Sequence, residues 1–131
     1  KCWGANFIGE SNAPNGIFTE IAAGRYHNCG LRVGGSAECW GSNDHNAGNA
    51  PSGVFTELSA GHGHTCALGA DASVACWGRG DYNQNIAAAG VFLTISAGYH
   101  HTCGLRSNGS IECWGYDFYG QVTPPEGYTW K

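Results

Sequence analysis

The amino-acid sequence predicts an all-β protein built from a repeated unit of 37 residues. The tripeptide Cys-Trp-Gly begins at residues 2, 39, 76 and 113, always 37 positions apart, and no segment has the apolar spacing of an amphipathic helix. Glycine makes up 22 of the 131 residues because every unit needs several fixed turns. We expect a single array of about 3.5 repeats: a partial repeat at 1–16, repeats at 17–53, 54–90 and 91–127, and a tail at 128–131.

Each full repeat contains three predicted strands. The first is a short apolar segment that ends at a glycine, as in FTEIAAG at 18–24. The second and third, HNCGLR at 27–32 and SAECWG at 36–41, flank a turn rich in glycine and form an antiparallel hairpin. The polar segment at 42–53 is predicted to be a connecting loop with at most a short edge strand.

The cysteines of each repeat are ten positions apart, and the midpoint of each pair falls in a turn sequence, at Gly34, Asp71 and Asn108. An antiparallel hairpin therefore places the two cysteines opposite each other, close enough for a bridge. The prediction is three disulfides: Cys29–Cys39, Cys66–Cys76 and Cys103–Cys113. The competing register, in which cysteines of neighbouring repeats pair, lacks this support from turn chemistry: Cys2–Cys29, Cys39–Cys66 and Cys76–Cys103.

Three disulfides indicate an oxidising compartment, so we expect a secreted or extracellular protein. Each bridge closes a loop of about ten residues and should contribute about 2–3 kcal/mol. Cysteine pairs ten apart do not fit the usual ligand spacing of a structural zinc site. Cys2 is left over; its expected partner precedes residue 1 in a longer array, the alternatives being a bond to another chain or a free thiol.

Charge and motifs exclude several classes of function. The net charge is −4, and the six Lys and Arg residues are scattered, so no nucleic-acid surface is expected. No window approaches the ~18 apolar residues of a membrane span. The sequence contains no nucleophile elbow, zinc-protease motif or P-loop, so we expect neither an enzyme nor a cofactor or metal site.

The pattern AGxxHxCxL…GxxxCWGxNxxGQ, present at 23–48, 60–84 and 97–121, resembles the RCC1-type repeat of β-propellers in its cysteine-bearing, secreted form. The resemblance implies blades, each a small antiparallel sheet, arranged around a central channel, and it implies no single activity. Since propellers close with at least ~4 blades, we expect another chain, in a homo-oligomer, or a missing remainder to complete the wheel.

The loop after each Cys-Trp-Gly differs between repeats on an otherwise constant scaffold, which is typical of a binding face. The candidate ligand-binding residues of these loops are Asn43, Asp44, His45, Arg79, Asp81, Tyr82, Asn83, Asp117, Phe118 and Tyr119. We expect a binding module for a glycan or a protein partner. The alternative is a structural subunit that assembles through unclosed blades. Two short motifs are noted, the RGD tripeptide at 79–81 and the N-glycosylation sequence at 108–110.

Two repeated side chains have competing interpretations. His27, His64 and His101 either form a ring along the channel or cap their own blades by hydrogen bonding, and the second interpretation is favoured. The repeated tryptophans are either sugar-stacking platforms or core residues between blades, and the core is favoured: Trp3, Trp40, Trp77 and Trp114.

Overall fold

The structure, a computed structural model that describes residues 1–125, contains three three-stranded antiparallel sheets. In each sheet the strands follow chain order, so the middle strand pairs with both of its neighbours. The strands are β1 (Phe18–Ala23), β2 (His27–Arg32), β3 (Ala37–Gly41), β4 (Phe55–Ala60), β5 (His64–Gly69), β6 (Val74–Gly78), β7 (Thr94–Ala97), β8 (His101–Leu105) and β9 (Ile111–Gly115). The all-β prediction is therefore confirmed. The last two positions of the repeat at 91–127 and the tail at 128–131 lie outside the described residues.

The segment after β3 is a connecting loop, as predicted. It contains no edge strand; instead a single 3₁₀ turn spans Asp44–Asn46, with His45 and Asn46 at positive φ (58° and 62°). Asparagine is one of the few residues that adopt this backbone region readily. The loop therefore folds back on itself compactly rather than adding a strand to the sheet.

The three disulfides have the register that the hairpin turns predict. Each joins directly opposed residues of the second and third strands, with Cα atoms 4.1, 4.1 and 4.0 Å apart: Cys29–Cys39, Cys66–Cys76 and Cys103–Cys113. Such short separations are typical of non-hydrogen-bonded pairs in antiparallel sheets. Each blade is thus stapled within itself, and no bridge joins two blades among residues 1–125.

The hydrophobic core lies between neighbouring sheets, in two interfaces that we call the first seam (β1–β3 against β4–β6) and the second seam (β4–β6 against β7–β9). The first is centred on Leu31, Leu58 and Trp77, and the second on Ile95 and Trp114. In both seams a tryptophan of the later repeat packs against the preceding sheet and against a phenylalanine of the same repeat. The pairs are Trp77 with Phe55 and Trp114 with Phe92. Trp40 is also buried, whereas Trp3 is 87% exposed, so the core interpretation is wrong for Trp3.

A buried histidine links the two sheets of each seam. The ring Nε2 of His27 lies 2.7 Å from the hydroxyl of Thr65, and that of His64 lies 2.9 Å from the hydroxyl of Thr102. All four side chains are at most 1% exposed. For His27 and His64 the prediction that the histidine side chain caps its own blade is therefore wrong. The hydrogen-bond partner belongs to the next blade, since a partner 38 positions away faces the ring across the seam.

Burial keeps these imidazoles uncharged. It lowers the pKa of His27, with a smaller contribution from His62. It lowers the pKa of His64 further, to about 4, and the neighbouring His100 and His27 add to the effect. A neutral ring has one N–H and one acceptor nitrogen; Nε2 of His64 is paired with Thr102, whereas its Nδ1 is buried without a partner among residues 1–125.

Candidate binding face

Two sets of connections meet at one end of the three sheets. Because the strands are antiparallel, the turns after the first strands (24–26, 61–63 and 98–100) lie at the same end as the loops that follow the third strands. The hairpin turns between second and third strands lie at the opposite end. Glycine permits the close approach of these first turns, since a Cβ on Gly61 would lie 2.4 Å from the carbonyl oxygen of Gly98.

Aromatic side chains form a continuous row across this end. His62 stacks on Tyr99 with ring centroids 4.3 Å apart, and Tyr99 meets His100 edge-on at 4.4 Å. His100 lies 5.3 Å from Tyr82, which in turn contacts Tyr116 at 4.6 Å. We call this row the aromatic face and define it by Tyr26, His62, Tyr82, Tyr99, His100, Tyr116, Phe118 and Tyr119.

Arg25 ties the three sheets together at the aromatic face. Its Nη1 donates to the hydroxyl of Tyr99 at 2.7 Å and lies 3.2 Å from Nε2 of His62. Because a guanidinium only donates, Nε2 of His62 must accept, which places the ring proton on Nδ1. A turn residue of the first sheet thereby fixes side chains of the second and third.

The histidines of the aromatic face are also held neutral. Partial burial lowers the pKa of His62, and the charges of Arg25, His100 and Arg79 lower it further. Partial burial likewise lowers the pKa of His100, with an additional contribution from Arg79. At neutral pH the row therefore presents uncharged rings flanked by the arginines at positions 25 and 79.

The predicted loop residues do not all lie on one surface. Tyr82, Phe118 and Tyr119 belong to the aromatic face and are 41, 76 and 82% exposed. Asp44 and His45 line a small pocket between the first two sheets, beside the arginine at position 79.

The other predicted residues serve their own loops. Asn43 accepts a hydrogen bond from the N–H of Gly48, and Asp117 accepts one from the N–H of Val122. Asn83 occupies a turn position with a φ of 61°. These three residues hold the loop backbone.

The arginine and the aspartate of the RGD tripeptide form an ion pair with each other. Nε of Arg79 lies 2.5 Å from the Oδ2 of Asp81, so the two charges neutralise each other instead of pointing outward. This ion pair also lowers the pKa of Asp81, chiefly through the hydrogen bond from Arg79. The geometry gives no support to an adhesion role for this tripeptide.

Six residues that contribute to the face are absent from the sequence-based list: Arg25, Tyr26, His62, Tyr99, His100 and Tyr116. Five of them lie in the turns between first and second strands. A signal for these five was available, since these turns read RY, HG and YH between a constant glycine and a constant histidine. Variable positions inside a constant frame, at the end of the sheet shared with the variable loops, indicate a common surface.

The described residues contain neither a metal-binding cluster nor a membrane-spanning helix. Among residues 1–125, no three histidine, cysteine or acidic side chains converge as a metal-binding group. In the same part of the chain, no helix has the length and apolar character needed to cross a bilayer.

Three small antiparallel sheets packed face to face, with β1, β4 and β7 next to one another, define a propeller-type repeat array. The family model of the regulator of chromosome condensation (RCC1) repeat matches residues 18–47, 55–84 and 92–121. The chain therefore belongs to the RCC1 repeat family, as its sequence pattern predicts. No curated protein matches the chain.

Solved structures support the same fold. The CRINKLY WD40 ectodomain of the receptor kinase ACR4 from Arabidopsis thaliana is 32% identical, with a TM-score of 0.70 over 86% of this chain and 41% of that chain. The ectodomain of the receptor kinase CR4 from Physcomitrella patens is 28% identical, with a TM-score of 0.80 over 98% and 39%. Prp20p from Saccharomyces cerevisiae is 19% identical, with a TM-score of 0.72 over 86% and 36%. The chain thus spans about two fifths of the length of the plant ectodomains.

Proposed function

We propose that the chain is an extracellular, disulfide-stabilised binding module that recognises a protein partner through the aromatic face. The observation that carries the proposal is the row of partly exposed tyrosines crossed by Arg25. Tyrosine, phenylalanine and arginine dominate the energetics of protein interfaces, and rings already held in place lose little entropy on binding.

Ring geometry favours a protein over a glycan. A sugar ring stacks on a flat, open aromatic face, whereas the rings here contact one another at steep angles. Tyr82 and Tyr116 meet at 61° and Phe118 and Tyr119 at 84°, so neighbouring rings do not form one flat stacking platform. Such surfaces resemble the tyrosine-rich binding surfaces of antibodies. Glycan recognition is the alternative that the experiment below separates.

The extracellular location is supported by the three disulfides and by the two plant neighbours, which are described as receptor ectodomains. The yeast neighbour Prp20p is described by its binding to Gsp1p and histones, but at 19% identity it supports the fold alone. Mass spectrometry of secreted protein before and after reduction tests the disulfides, since three bridges add about 6 Da when reduced.

The binding proposal is tested with a peptide library selected on the immobilised chain and, in parallel, with a glycan array. We expect selected peptides to lose at least about tenfold in affinity when Tyr82 or Tyr119 is replaced by alanine. The control is Val33→Ala, an exposed position in the hairpin turn at the opposite end of the sheets. Binding confined to the glycan array, or peptide binding that survives both tyrosine variants, would contradict the proposal.

One observation favours assembly as a second function. Leu58 and Ile95 are 6% exposed in the two seams, while Ile21, at the equivalent position of the first sheet, is 57% exposed. A further sheet from a second copy would cover that face as the seams do. Native mass spectrometry tests this: a dimer or larger species that Ile21→Glu dissociates supports assembly, and a monomer at all concentrations contradicts it.

A further inference from the structure

The loops after β3 and β6 share a turn hydrogen bond and can be compared residue by residue. The N–H of Asn46 donates to Asn43 O at 3.1 Å, and the N–H of Asn83 donates to Gly80 O at 3.0 Å. Asn46 and Asn83 share a positive φ, 62° and 61°. The backbones differ one residue earlier, where His45 has a φ of 58° and the φ of Tyr82 is not positive, and the two loops also differ in their side chains. We compare the notches that they form with the next sheet, at the outer end of each seam.

In the second notch three side chains fill the space between loop and sheet. Gln84 is fully buried, and its carboxamide oxygen accepts the N–H of Tyr82 at 2.8 Å. The ring of Tyr82 lies 5.3 Å from His100, which projects from the next sheet. The loop after β9 repeats the carboxamide bond, since Gln121 accepts the N–H of Tyr119 at 2.8 Å.

In the first notch the three equivalent positions are occupied by Ala47, His45 and Gly63. Ala47 has no carboxamide, and the N–H of His45, equivalent to that of Tyr82, makes no hydrogen bond within residues 1–125. A pocket of about 120 Å³ lies here, lined by all three residues. The chain thus leaves a side-chain-sized space and a free backbone donor where the next repeat has a glutamine.

We propose that this pocket binds the carboxamide side chain, glutamine or asparagine, of the protein partner. The inference rests on the proposed function and specifies what the aromatic face recognises. The partner's amide oxygen accepts the N–H of His45, which lines the pocket and has no partner within residues 1–125, and its carboxamide occupies the space that Gln84 fills in the next repeat.

The polar lining of the pocket selects an amide over an acid. Asp44 and the hydroxyl-bearing Ser42 line the wall, and they accept the two N–H groups of a carboxamide. A carboxylate has no such donors and meets the charge of Asp44 as repulsion. Arg79 also lines the pocket, and its ion pair with Asp81 reduces its attraction for a carboxylate.

The test uses acetamide as the probe, with acetate as its charged isostere, on the full chain labelled with ¹⁵N. We expect acetamide to shift the amide resonances of His45 and Gly63 saturably in the millimolar range, and acetate to shift them at least about tenfold more weakly. Ala47→Gln places in the pocket the residue that the next repeat has at the equivalent position, Gln84. This variant should abolish the acetamide shifts. Val33→Ala, at the opposite end, is the matched control.

The reciprocal variant extends the test. Gln84→Ala opens the second notch and should create new acetamide shifts at Tyr82, which the Ala47→Gln variant lacks. Equal responses to acetamide and acetate, or acetamide shifts that persist in Ala47→Gln, would overturn the proposal. The titration needs no partner protein, so its failure is distinguishable from failure of the proposed function: peptides that bind the aromatic face but ignore Ala47→Gln overturn the carboxamide site alone.

Discussion

The two seams share an interior and differ at the aromatic face. In each, a glutamate of the earlier sheet accepts an N–H of the later one: Glu20 accepts from Leu58 at 2.7 Å, and Glu57 from Ile95 at 3.0 Å. At the outer end the second seam is closed by aromatic and amide side chains, whereas the first opens into the pocket beside Ala47. The repeat therefore specifies the assembly of the blades, while its variable turns specify which side chains the aromatic face presents.

Removing the buried tryptophan tests whether the interiors are equivalent. Trp77→Ala and Trp114→Ala should each lower the free energy of unfolding by about 3–5 kcal/mol, because both rings fill a seam. Chemical denaturation followed by circular dichroism measures the effect. Trp3→Ala is the control, and its 87% exposure predicts a change within about 0.5 kcal/mol. If one of the two tryptophans proves dispensable, the interiors of the two seams are not equivalent.

Acid should weaken the seams through their buried histidines, most strongly through His64. Its folded pKa of about 4 lies below the unfolded value of 6.5, so protonation favours the unfolded chain. Its contribution is complete above pH 6.5 and is lost as the pH falls towards 4, amounting to about 2 kcal/mol by pH 5.

The measurement is the free energy of unfolding at pH 7.5 and pH 5. His64→Gln should flatten the pH dependence between these values, and His27→Gln should flatten it less. The exposed His45→Gln serves as the control. An unchanged slope in His64→Gln would show that the buried ring does not govern acid stability.

The sequence predicts the blade well because its signals are local. The spacing of Cys103 and Cys113 and the turn at Asn108 determine the register of one hairpin without reference to the rest of the chain. The contacts between blades are a different matter. Nothing local distinguishes a histidine that caps its own sheet from one that reaches Thr65 on the next, because that choice depends on how the sheets stack.

The candidate site was half predictable for the same reason. Loop residues such as Tyr82 and Tyr119 are recognised by their variability between repeats. Arg25 is variable by the same criterion, but its contact with Tyr99, 74 positions away and two blades on, cannot be inferred from that variability. Only the packed array shows that short turns and long loops form one surface.

Replacing tryptophan by phenylalanine tests whether the indole N–H groups of the two seams contribute equally to stability. The indole N–H of Trp77 donates to the carbonyl of Ala47 at 3.2 Å, whereas that of Trp114 is buried without a partner among the described residues. Trp77→Phe should therefore cost about 1 kcal/mol more than Trp114→Phe, since only the first leaves a buried acceptor unpaired. Equal costs in paired denaturation curves would indicate that both N–H groups have equivalent partners.

The smallest expected effect concerns an ion pair that the middle sheet lacks. Arg106 pairs with Glu112 and lies over the ring of Phe92 at 4.3 Å, while the equivalent positions of the middle sheet are Gly69 and Ala75. The middle sheet forms without the pair, and the two partners are 25% and 45% exposed. A double-mutant cycle of Arg106→Ala and Glu112→Ala should give a coupling of about 0.5–1 kcal/mol that falls with added salt. A salt-independent coupling above about 2 kcal/mol would mean that the outer sheets depend on a contact that the middle sheet does without.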